Sequence, residues 1–273
     1  MRKPNRTKSA SVRSKRAFVK PQPGEKIQKV LAALGFASRR EIERWIKEAR
    51  ILINGKTATI GQRVESKDRI HVDGKLIGRE ETAPETRVII YHKTAEEICT
   101  RSDPEKRKTV FQSLPPLHKS RWISIGRLDF TTSGLMMFTN NGELANKLTK
   151  SSKDIEREYL VRVHGKASPT NIECMLRGVR LENGTGRFKK IILHESEGKN
   201  QWYFFVVTER NNRFIKSLWE SQGLLVSRLK QIRIGPIALA KQVRQGCWTE
   251  LKNQSLQAVL DLVKSPQIDS IKK

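Results

Sequence analysis

Apolar residues recur at helical spacing in two short stretches near the start of the chain. In the first stretch, residues 27–34, the apolar residues lie three and four positions apart. Gly35 follows directly, and glycine is typical of a helix C-cap. In the second, Ser38 precedes Glu41 by three positions, the spacing of a capping box, and apolar positions follow on one helical face. The pattern predicts two consecutive helices.

The pattern then changes to short runs of strand length. Residues 51–53 lead into Asn54-Gly55, a dipeptide that strongly favours a tight hairpin turn. Further short runs lie around Val64 and over residues 70–72. We therefore expect a small hairpin sheet after the two helices, a compact module whose second helix carries cations on its polar faces.

The rest of the chain alternates strand-length apolar runs with helical stretches. Predicted strands cover residues 88–91, 122–125, 135–139, 159–163, 191–193, 202–208 and 229–234, and predicted helices cover residues 142–149, 170–177 and 213–222. Many short strands with few helices are typical of an α+β fold built on a mixed, mostly antiparallel sheet.

Composition divides the chain into five segments. They are a basic flexible arm at 1–23, the compact module at 24–80, a polar linker at 81–86, the larger domain at 87–260 and a polar tail at 261–273. The arm contains many cations and no acid, so it is expected to stay extended. It serves either as a solubilising tail or as an RNA-binding extension.

The charge of the chain narrows the class of partner. Its 54 Lys and Arg against 28 Asp and Glu give a formal net charge of +26, which attracts polyanions and favours nucleic acid. No apolar run is long enough to span a membrane, and the N-terminus lacks the apolar region of a secretory signal. We expect a cytoplasmic protein without a membrane partner.

The residues that hold metals, nucleotides or disulfides are not arranged for those tasks. The three cysteines are widely spaced, the five histidines are scattered, and no phosphate-binding glycine loop follows a predicted strand. We expect a reduced protein with no metal, no nucleotide and no other cofactor. The chain has no heptad pattern or apolar stripe that would predict an oligomer.

The module at 24–80 resembles the S4 RNA-binding domain. The similarity lies in residue type and spacing over Ala37-Ser38-Arg39-Arg40-Glu41 and over residues 51–55. In that family the arginines after the capping serine touch RNA, so the resemblance implies that Arg39 and Arg40 bind RNA. The alternative is a solvated helix face that makes no specific contact.

The most informative stretch covers residues 125–142, where an apolar strand enters a polar loop with one carboxylate, Asp129. Without a family, this aspartate would by default cap its own loop. However, Gly126-Arg127-Leu128-Asp129 followed by Thr132-Ser133-Gly134-Leu135 resembles the catalytic motif of S4-headed pseudouridine synthases, in the branch that modifies ribosomal RNA. Shorter matches extend over residues 24 to about 250.

The resemblance implies an isomerisation of uridine to pseudouridine in 23S rRNA, free or in a large-subunit assembly intermediate. The glycosidic bond breaks, the uracil rotates, and C5 attaches to the same sugar carbon. Asp129 would be the catalytic carboxylate, acting either as a nucleophile at C1′ or as a base at C2′.

Further roles follow by motif position. The resemblance implies that Tyr159 stacks on the flipped uracil and that Lys216 pairs with the catalytic carboxylate. It also implies that Leu229 lines the uracil pocket, that Arg127 enters the space the base leaves, and that Arg213 binds substrate. The plainer alternatives are a packed Tyr159, a solvated Lys216, a core Leu229 and an Arg127 that contacts phosphate.

The sequence departs from the family in two places. The usual Lys-Pro-x-Gly is Lys93-Thr94-Ala95-Glu96 here, and a glycine of the late motif has become Arg210, with Lys216-Ser217 in place of a basic pair. Two alternatives therefore stay open: a catalytically impaired rRNA-binding assembly factor, or the same enzyme class acting on another rRNA or tRNA uridine.

Overall fold

The computed structural model describes residues 24–78, 85–118, 120–150, 155–182, 184–208 and 212–264. The predicted arm, most of the predicted linker and polar tail, and Arg210 lie outside these residues. The chain divides into two compact units. The small unit holds residues 24–32 and 37–78 of the described chain, and the large unit holds 33–36 and everything from residue 85 onward.

The small unit contains the two predicted helices and a hairpin sheet. Its elements are β1 (Glu25–Lys26), α1 (Ile27–Ala33), α2 (Arg39–Lys47), β2 (Ile51–Ile53), β3 (Lys56–Thr57), β4 (Arg63–Val64), β5 (Ile70–Val72) and β6 (Lys75–Leu76). Four strands form a sheet in the order β3-β2-β5-β6, whereas β4 pairs with β1. Asn54 and Gly55 both have positive φ, 52° and 80°, as the predicted tight turn requires.

Only one of the two hydrogen bonds of the capping box predicted for α2 is present. Ser38 Oγ accepts a hydrogen bond from the backbone N–H of Glu41 at 3.1 Å, which satisfies one free donor at the helix start. The Glu41 carboxylate does not return to Ser38. It instead accepts hydrogen bonds from the side chains of Arg44 and Trp45 on the next turn.

The large unit is built on a nine-stranded sheet. Its strands are β7 (Val88–Lys93), β8 (Ile123–Ile125), β9 (Thr132–Thr139), β10 (Arg157–His164), β13 (Lys190–Glu197), β14 (Asn200–Val207), β15 (Leu225–Ile234), β16 (Ile237–Ala238) and β17 (Trp248–Glu250). The order is β13-β14-β10-β15-β9-β7-β17, with β16 on β15 and β8 on β9. Only the β15–β9 pair is parallel among the described strands, which confirms the predicted mixed, mostly antiparallel α+β fold.

Helices and a small hairpin complete the unit. They are a 3₁₀ turn (Val110–Ser113), α3 (Gly142–Lys150), α4 (Pro169–Arg177), β11 (Val179–Leu181), β12 (Gly184–Gly186), α5 (Asn212–Glu220) and α6 (Asn253–Asp261). The pattern missed the β11–β12 hairpin, β16, β17 and α6, because these elements are short or polar. It also began the catalytic-motif strand too late, since the polar residues Thr132 and Ser133 already belong to β9.

Two core clusters fix the strands around the site. One joins the inward residues of β10, β14 and β15 to α5, and its buried members include Tyr159, Leu229 and Trp219. The other fills one face of β7 and β9 against α3 and α6. Because side chains of a strand alternate between faces, this packing sets the side to which each site residue points.

Candidate active site

The loop between β8 and β9 holds Asp129 between two anchors. Leu128 is buried among Tyr91, Met136 and other apolar side chains. On the other side the backbone N–H of Thr132 donates to the Asp129 carbonyl at 3.3 Å, closing a turn where β9 begins. A buried anchor and a strand therefore hold the carboxylate from both ends, which is the arrangement of a functional loop on a rigid frame.

Lys216 of α5 pairs with this carboxylate. Its Nζ donates to Asp129 Oδ2 at 2.7 Å and to Thr131 Oγ1 at 2.6 Å. The two side chains are only 20% and 27% exposed, for Lys216 and Asp129 respectively. The other carboxylate oxygen, Oδ1, is buried and has no hydrogen-bond partner among the described residues. One oxygen is thus held by a cation, while the other is buried without a hydrogen-bond partner in the described part of the chain.

The surroundings keep Asp129 ionised. Burial acts to raise the pKa of Asp129, but the hydrogen bond and charge of Lys216, helped by Thr132 and the charge of Lys93, outweigh it. The net effect is a pKa below the usual value for an aspartate. The carboxylate therefore carries its charge at neutral pH despite being largely buried.

Lys93 supports the same loop from within the protein, a role that its sequence motif did not suggest. Its side chain is fully buried, and Nζ donates to the backbone carbonyls of Thr94, Phe130 and Thr132 at 2.8, 3.3 and 2.8 Å. Burial lowers the pKa of Lys93. Since two of these carbonyls follow Asp129 closely in sequence, Lys93 fixes the course of the backbone directly after the carboxylate.

The altered turn after Lys93 keeps a glycine-like backbone. Glu96, which stands where the family has Gly, adopts φ +67° and donates its N–H to the Phe130 carbonyl at 2.9 Å. Nearby, Cys99 Sγ donates to the Leu128 carbonyl at 3.1 Å. The contact to the loop that carries Asp129 is thus made without a glycine, at the cost of a left-handed conformation at a residue with a side chain.

Glu96→Gly is therefore expected to leave the protein as stable or to raise its free energy of unfolding by up to about 1 kcal/mol. Glycine relieves the left-handed strain, and its greater freedom in the unfolded chain offsets part of that gain. Ala95→Gly, one residue earlier at an ordinary φ, is the matched control and should cost about 0.5–1 kcal/mol. Urea unfolding measures the free energy of unfolding of both variants. A larger loss of stability in Glu96→Gly than in Ala95→Gly would show that the backbone at Glu96 is not strained.

Tyr159 lies in β10 with its hydroxyl fixed by a partner that the sequence did not reveal. The hydroxyl donates to Gln231 Oε1 at 2.5 Å, and Gln231 Nε2 donates to the Leu135 carbonyl at 2.8 Å. One face of the tyrosine ring stacks on Phe205, with centroids 5.3 Å apart and planes 8° from parallel. The side chain is 1% exposed, so its position is set by packing as well as by the hydrogen bond.

The parallel pairing of β9 and β15 brings these parts together. Leu229 lies opposite Thr132, and Gln231 lies opposite Gly134. Gly134 has φ +110°, and a Cβ there would lie 2.1 Å from the Gln231 carbonyl oxygen, so this close crossing requires glycine. The glycine of the motif thus lets the strand behind Asp129 approach the strand that carries Leu229 and Gln231.

The remaining predicted site residues lie at the surface. Arg127 is exposed in the loop between β8 and β9, and Arg213 is exposed in the first turn of α5. In the small unit, Arg39 and Arg40 are exposed in the first turn of α2. The structure thus places Asp129 and Lys216 in contact, puts Tyr159 and Leu229 in the same core cluster, and leaves the four arginines facing solvent.

Among the described residues, no group of three or more His, Cys, Asp or Glu side chains could hold a metal ion. No helix in the described ranges is long and apolar enough to cross a bilayer.

Comparison with known proteins gives matches over most of the chain. The model of the RNA pseudouridylate synthase family matches residues 87–255, and the S4 domain model matches residues 25–70. A relative from Salmonella typhi named ribosomal large subunit pseudouridine synthase B is 47% identical over 251 residues, which are 91% of this chain and 86% of that protein.

A relative of the same name from Pseudomonas aeruginosa is 50% identical over 242 residues, 88% of this chain. The matched region spans 63% of that longer protein. Among solved structures, a pseudouridylate synthase superposes with a TM-score of 0.58 at 21% identity, covering 87% of this chain and 99% of that one. At that identity the superposition supports the fold alone.

Proposed function

The chain belongs to the RNA pseudouridylate synthase family, and on that premise we propose that it converts a uridine of 23S rRNA to pseudouridine with Asp129 as the catalytic carboxylate. The observation that carries the proposal is the Asp129–Lys216 pair. It holds an ionised, partly buried carboxylate at the loop where the family motif lies. The relatives named for the large ribosomal subunit support the choice of RNA.

The reaction moves one bond and one proton. The N1–C1′ bond of the uridine breaks, C5 of the rotated uracil bonds to C1′, C5 gives up its hydrogen, and N1 gains one. Asp129 starts the sequence either by attacking C1′ or by taking the C2′ proton, and both routes need the ionised form that Lys216 maintains. The target nucleotide has to leave its stack to reach a carboxylate that is 27% exposed.

Tyr159 is proposed to contact the uracil and to assist the transfer of the proton from C5. Gln231 uses its amide N–H on the Leu135 carbonyl, so its oxygen accepts the hydrogen bond from Tyr159 and fixes the direction of the phenol O–H. One ring face is covered by Phe205, so the base has to stack on the other face, once the pocket opens around the flipped nucleotide.

Gln231→Leu is accordingly expected to lower kcat about tenfold or more with a smaller change in KM, because Tyr159 loses the partner that directs its proton. Gln231→Glu keeps an acceptor beside the hydroxyl and should retain more activity. Single-turnover rates at saturating RNA measure the effect. Equal losses for the two variants would show that Gln231 serves packing only.

The small unit is proposed to hold the rRNA, or a large-subunit assembly intermediate, through Arg39 and Arg40. Both are exposed in the first turn of α2. The large net positive charge favours such a partner. A monomer acting in the cytoplasm fits this proposal, with no membrane partner and no cofactor.

Reversing both charges, Arg39→Glu with Arg40→Glu, should raise KM about tenfold while kcat at saturating RNA stays within about twofold. The slope of log affinity against log salt should fall by about one to two. The control, Lys56→Glu with Lys75→Glu, reverses the charges of two exposed lysines in the hairpin sheet of the same unit. Equal effects in the two double variants would mean that the arginines act only through net charge.

Release of tritium from rRNA labelled at uridine C5 tests the proposed activity itself, because C5 loses its hydrogen only when it bonds to C1′. Incubation of unmodified 23S rRNA with the protein should release one equivalent of tritium per RNA. Tight binding without release would instead support the rRNA-binding assembly factor. Release of tritium only from another rRNA or from tRNA would show that the target uridine lies in that RNA.

A further inference from the structure

One face of the sheet in the large unit carries cations and aromatic rings away from the catalytic residues. In β10, the side chains of Tyr159, Val161 and Val163 belong to the buried core. The residues between them alternate to the opposite face and are only partly buried. β14 shows the same alternation, with buried Tyr203 and Phe205 on the inner side. This outward side of β10, β13, β14 and β15 is called the basic-aromatic face below.

The strand register arranges this face in rows. The first row runs Lys190, Val206, Glu158, Arg233, the second runs Ile192, Phe204, Leu160, Lys230, and the third runs Glu195, Trp202, Arg162, Arg228. Directly opposed residues of neighbouring strands lie on the same face. The rings and aliphatic side chains thus form a central band that has cations on both sides.

The charge of the basic-aromatic face is positive. Its rows hold two carboxylates, one of which, Glu158, is bound by Arg233 at 2.6 Å, against the five cations Lys190, Arg233, Lys230, Arg162 and Arg228. Arg228 and Lys230 are two positions apart on one strand, so their Cα atoms are separated by about 7 Å, close to one nucleotide step of an extended RNA strand. Such a row can follow successive phosphates.

The aromatic rings lie within reach of a flat ligand. The guanidinium of Arg162 lies over the Trp202 ring at 5.9 Å from its centroid, and the His194 ring is 4.4 Å from that of Phe204. A cavity of about 370 Å³ opens between Lys190, Ile192, Phe204 and Ile232. Ile192 is 46% exposed and adds apolar surface beside Phe204.

We infer that the basic-aromatic face binds an unpaired segment of RNA, at a site separate from the catalytic pocket. Excess cations beside stackable rings are the features by which proteins hold single strands without reading sequence. An acidic protein segment would use the cations but gain little from the rings, so the rings favour RNA. The inference goes beyond uridine isomerisation and applies whether or not the bound strand is modified.

Photo-crosslinking locates the site on the full chain. A short oligouridylate that contains 4-thiouridine is irradiated with the protein, and the attached peptides are identified by mass spectrometry. We expect a crosslinked peptide that includes Trp202 or Phe204, and the same peptide from Asp129→Asn. Crosslinks confined to other parts of the chain would overturn the inference. Because the probe needs no catalysis, the result stands even if the isomerisation test fails.

Affinity measurements with the same oligonucleotide test the chemistry of the face. Arg228→Glu with Lys230→Glu should raise Kd about tenfold or more and reduce the salt slope by about 1.4, the value for two lost phosphate contacts on a single strand. Trp202→Leu should raise Kd about fivefold or more through lost stacking. The control, Lys252→Glu with Lys264→Glu, reverses two exposed charges that flank α6 and should change Kd less than about twofold.

Two results of these measurements would contradict the inference. The double variant of β15 could match the α6 control, which would mean that the face does not contact the strand. Alternatively, polyglutamate could displace the oligonucleotide in proportion to charge while Trp202→Leu binds normally, which would assign the face to an acidic protein. Circular dichroism melting confirms that each variant is folded.

Discussion

Asp129→Asn is expected to reduce the rate of uridine isomerisation by about four orders of magnitude or more, because it removes the group proposed to attack C1′ or to take the C2′ proton. The side chain keeps its shape and its oxygen beside Lys216, so the loop between β8 and β9 should persist. The affinity for rRNA should change less than about twofold, since the loss concerns the chemical step. Single-turnover tritium release and filter binding measure the two quantities.

The matched control is Asp261→Asn. Asp261 also pairs with a lysine, Lys264 at 3.1 Å, but this pair is exposed at the end of α6. Its substitution removes the same charge and should leave the rate within about twofold. If Asp129→Asn isomerises uridine at a rate within tenfold of wild type, Asp129 is not the catalytic carboxylate. If wild type also shows no activity, the result supports the assembly-factor alternative.

Lys216→Met should be the second most damaging change, lowering kcat/KM about 10²–10³-fold at neutral pH. The methionine keeps much of the volume but removes the donor to Asp129 Oδ2 and Thr131 Oγ1. Burial of Asp129, no longer offset by the lysine, then raises the pKa of the carboxyl group. Lys216→Arg restores the charge and should recover most of the activity.

The pH dependence distinguishes this electrostatic role from a structural one. In wild type the pKa of Asp129 is lowered, so the carboxylate is ionised above that pKa and activity falls only in acid. In Lys216→Met the acidic limb of the pH–rate profile should move to higher pH, and raising the pH should recover part of the loss. A uniformly lowered profile with an unmoved limb would indicate damage to folding instead.

The same pair should contribute to stability with a defined sign. Because the folded pKa of Asp129 lies below its unfolded value, the ion pair stabilises the protein above the unfolded pKa. That contribution disappears as the pH falls through the lowered folded pKa. For a pair that is 20% and 27% exposed, we expect a loss of about 1–2 kcal/mol in Lys216→Met at neutral pH. Lys264→Met, in the exposed pair of α6, should cost less than about 1 kcal/mol.

The sequence was most informative where a local pattern determines structure. The helical spacing around Ile42 and the Asn54-Gly55 turn depend on neighbouring residues, and both features are present in the structure. The run of residues 126–135 predicted a loop with one carboxylate between two strands, and that geometry is confirmed. However, the start of β9 was missed because the polar residues Thr132 and Ser133 do not look like a strand.

The supporting residues of the site could not be predicted because strand pairing creates their roles. Gln231 meets Tyr159 across 72 positions of sequence, and Lys93 meets the Thr132 carbonyl across 39. Neither residue has a neighbour in sequence that reveals a buried partner. The Glu96 turn was expected to differ from the family because its glycine is absent, whereas the positive φ shows that the backbone tolerates the side chain.

The central claim is tested most directly by carbodiimide-adduct primer extension on unmodified 23S rRNA incubated with wild-type protein or with Asp129→Asn. Pseudouridine retains the adduct and stops the reverse transcriptase at one position. We predict a single new stop with wild type and none with the variant, which would identify the activity, the catalytic residue and the target uridine together. No stop with wild type, or an equal stop with both proteins, would contradict the account.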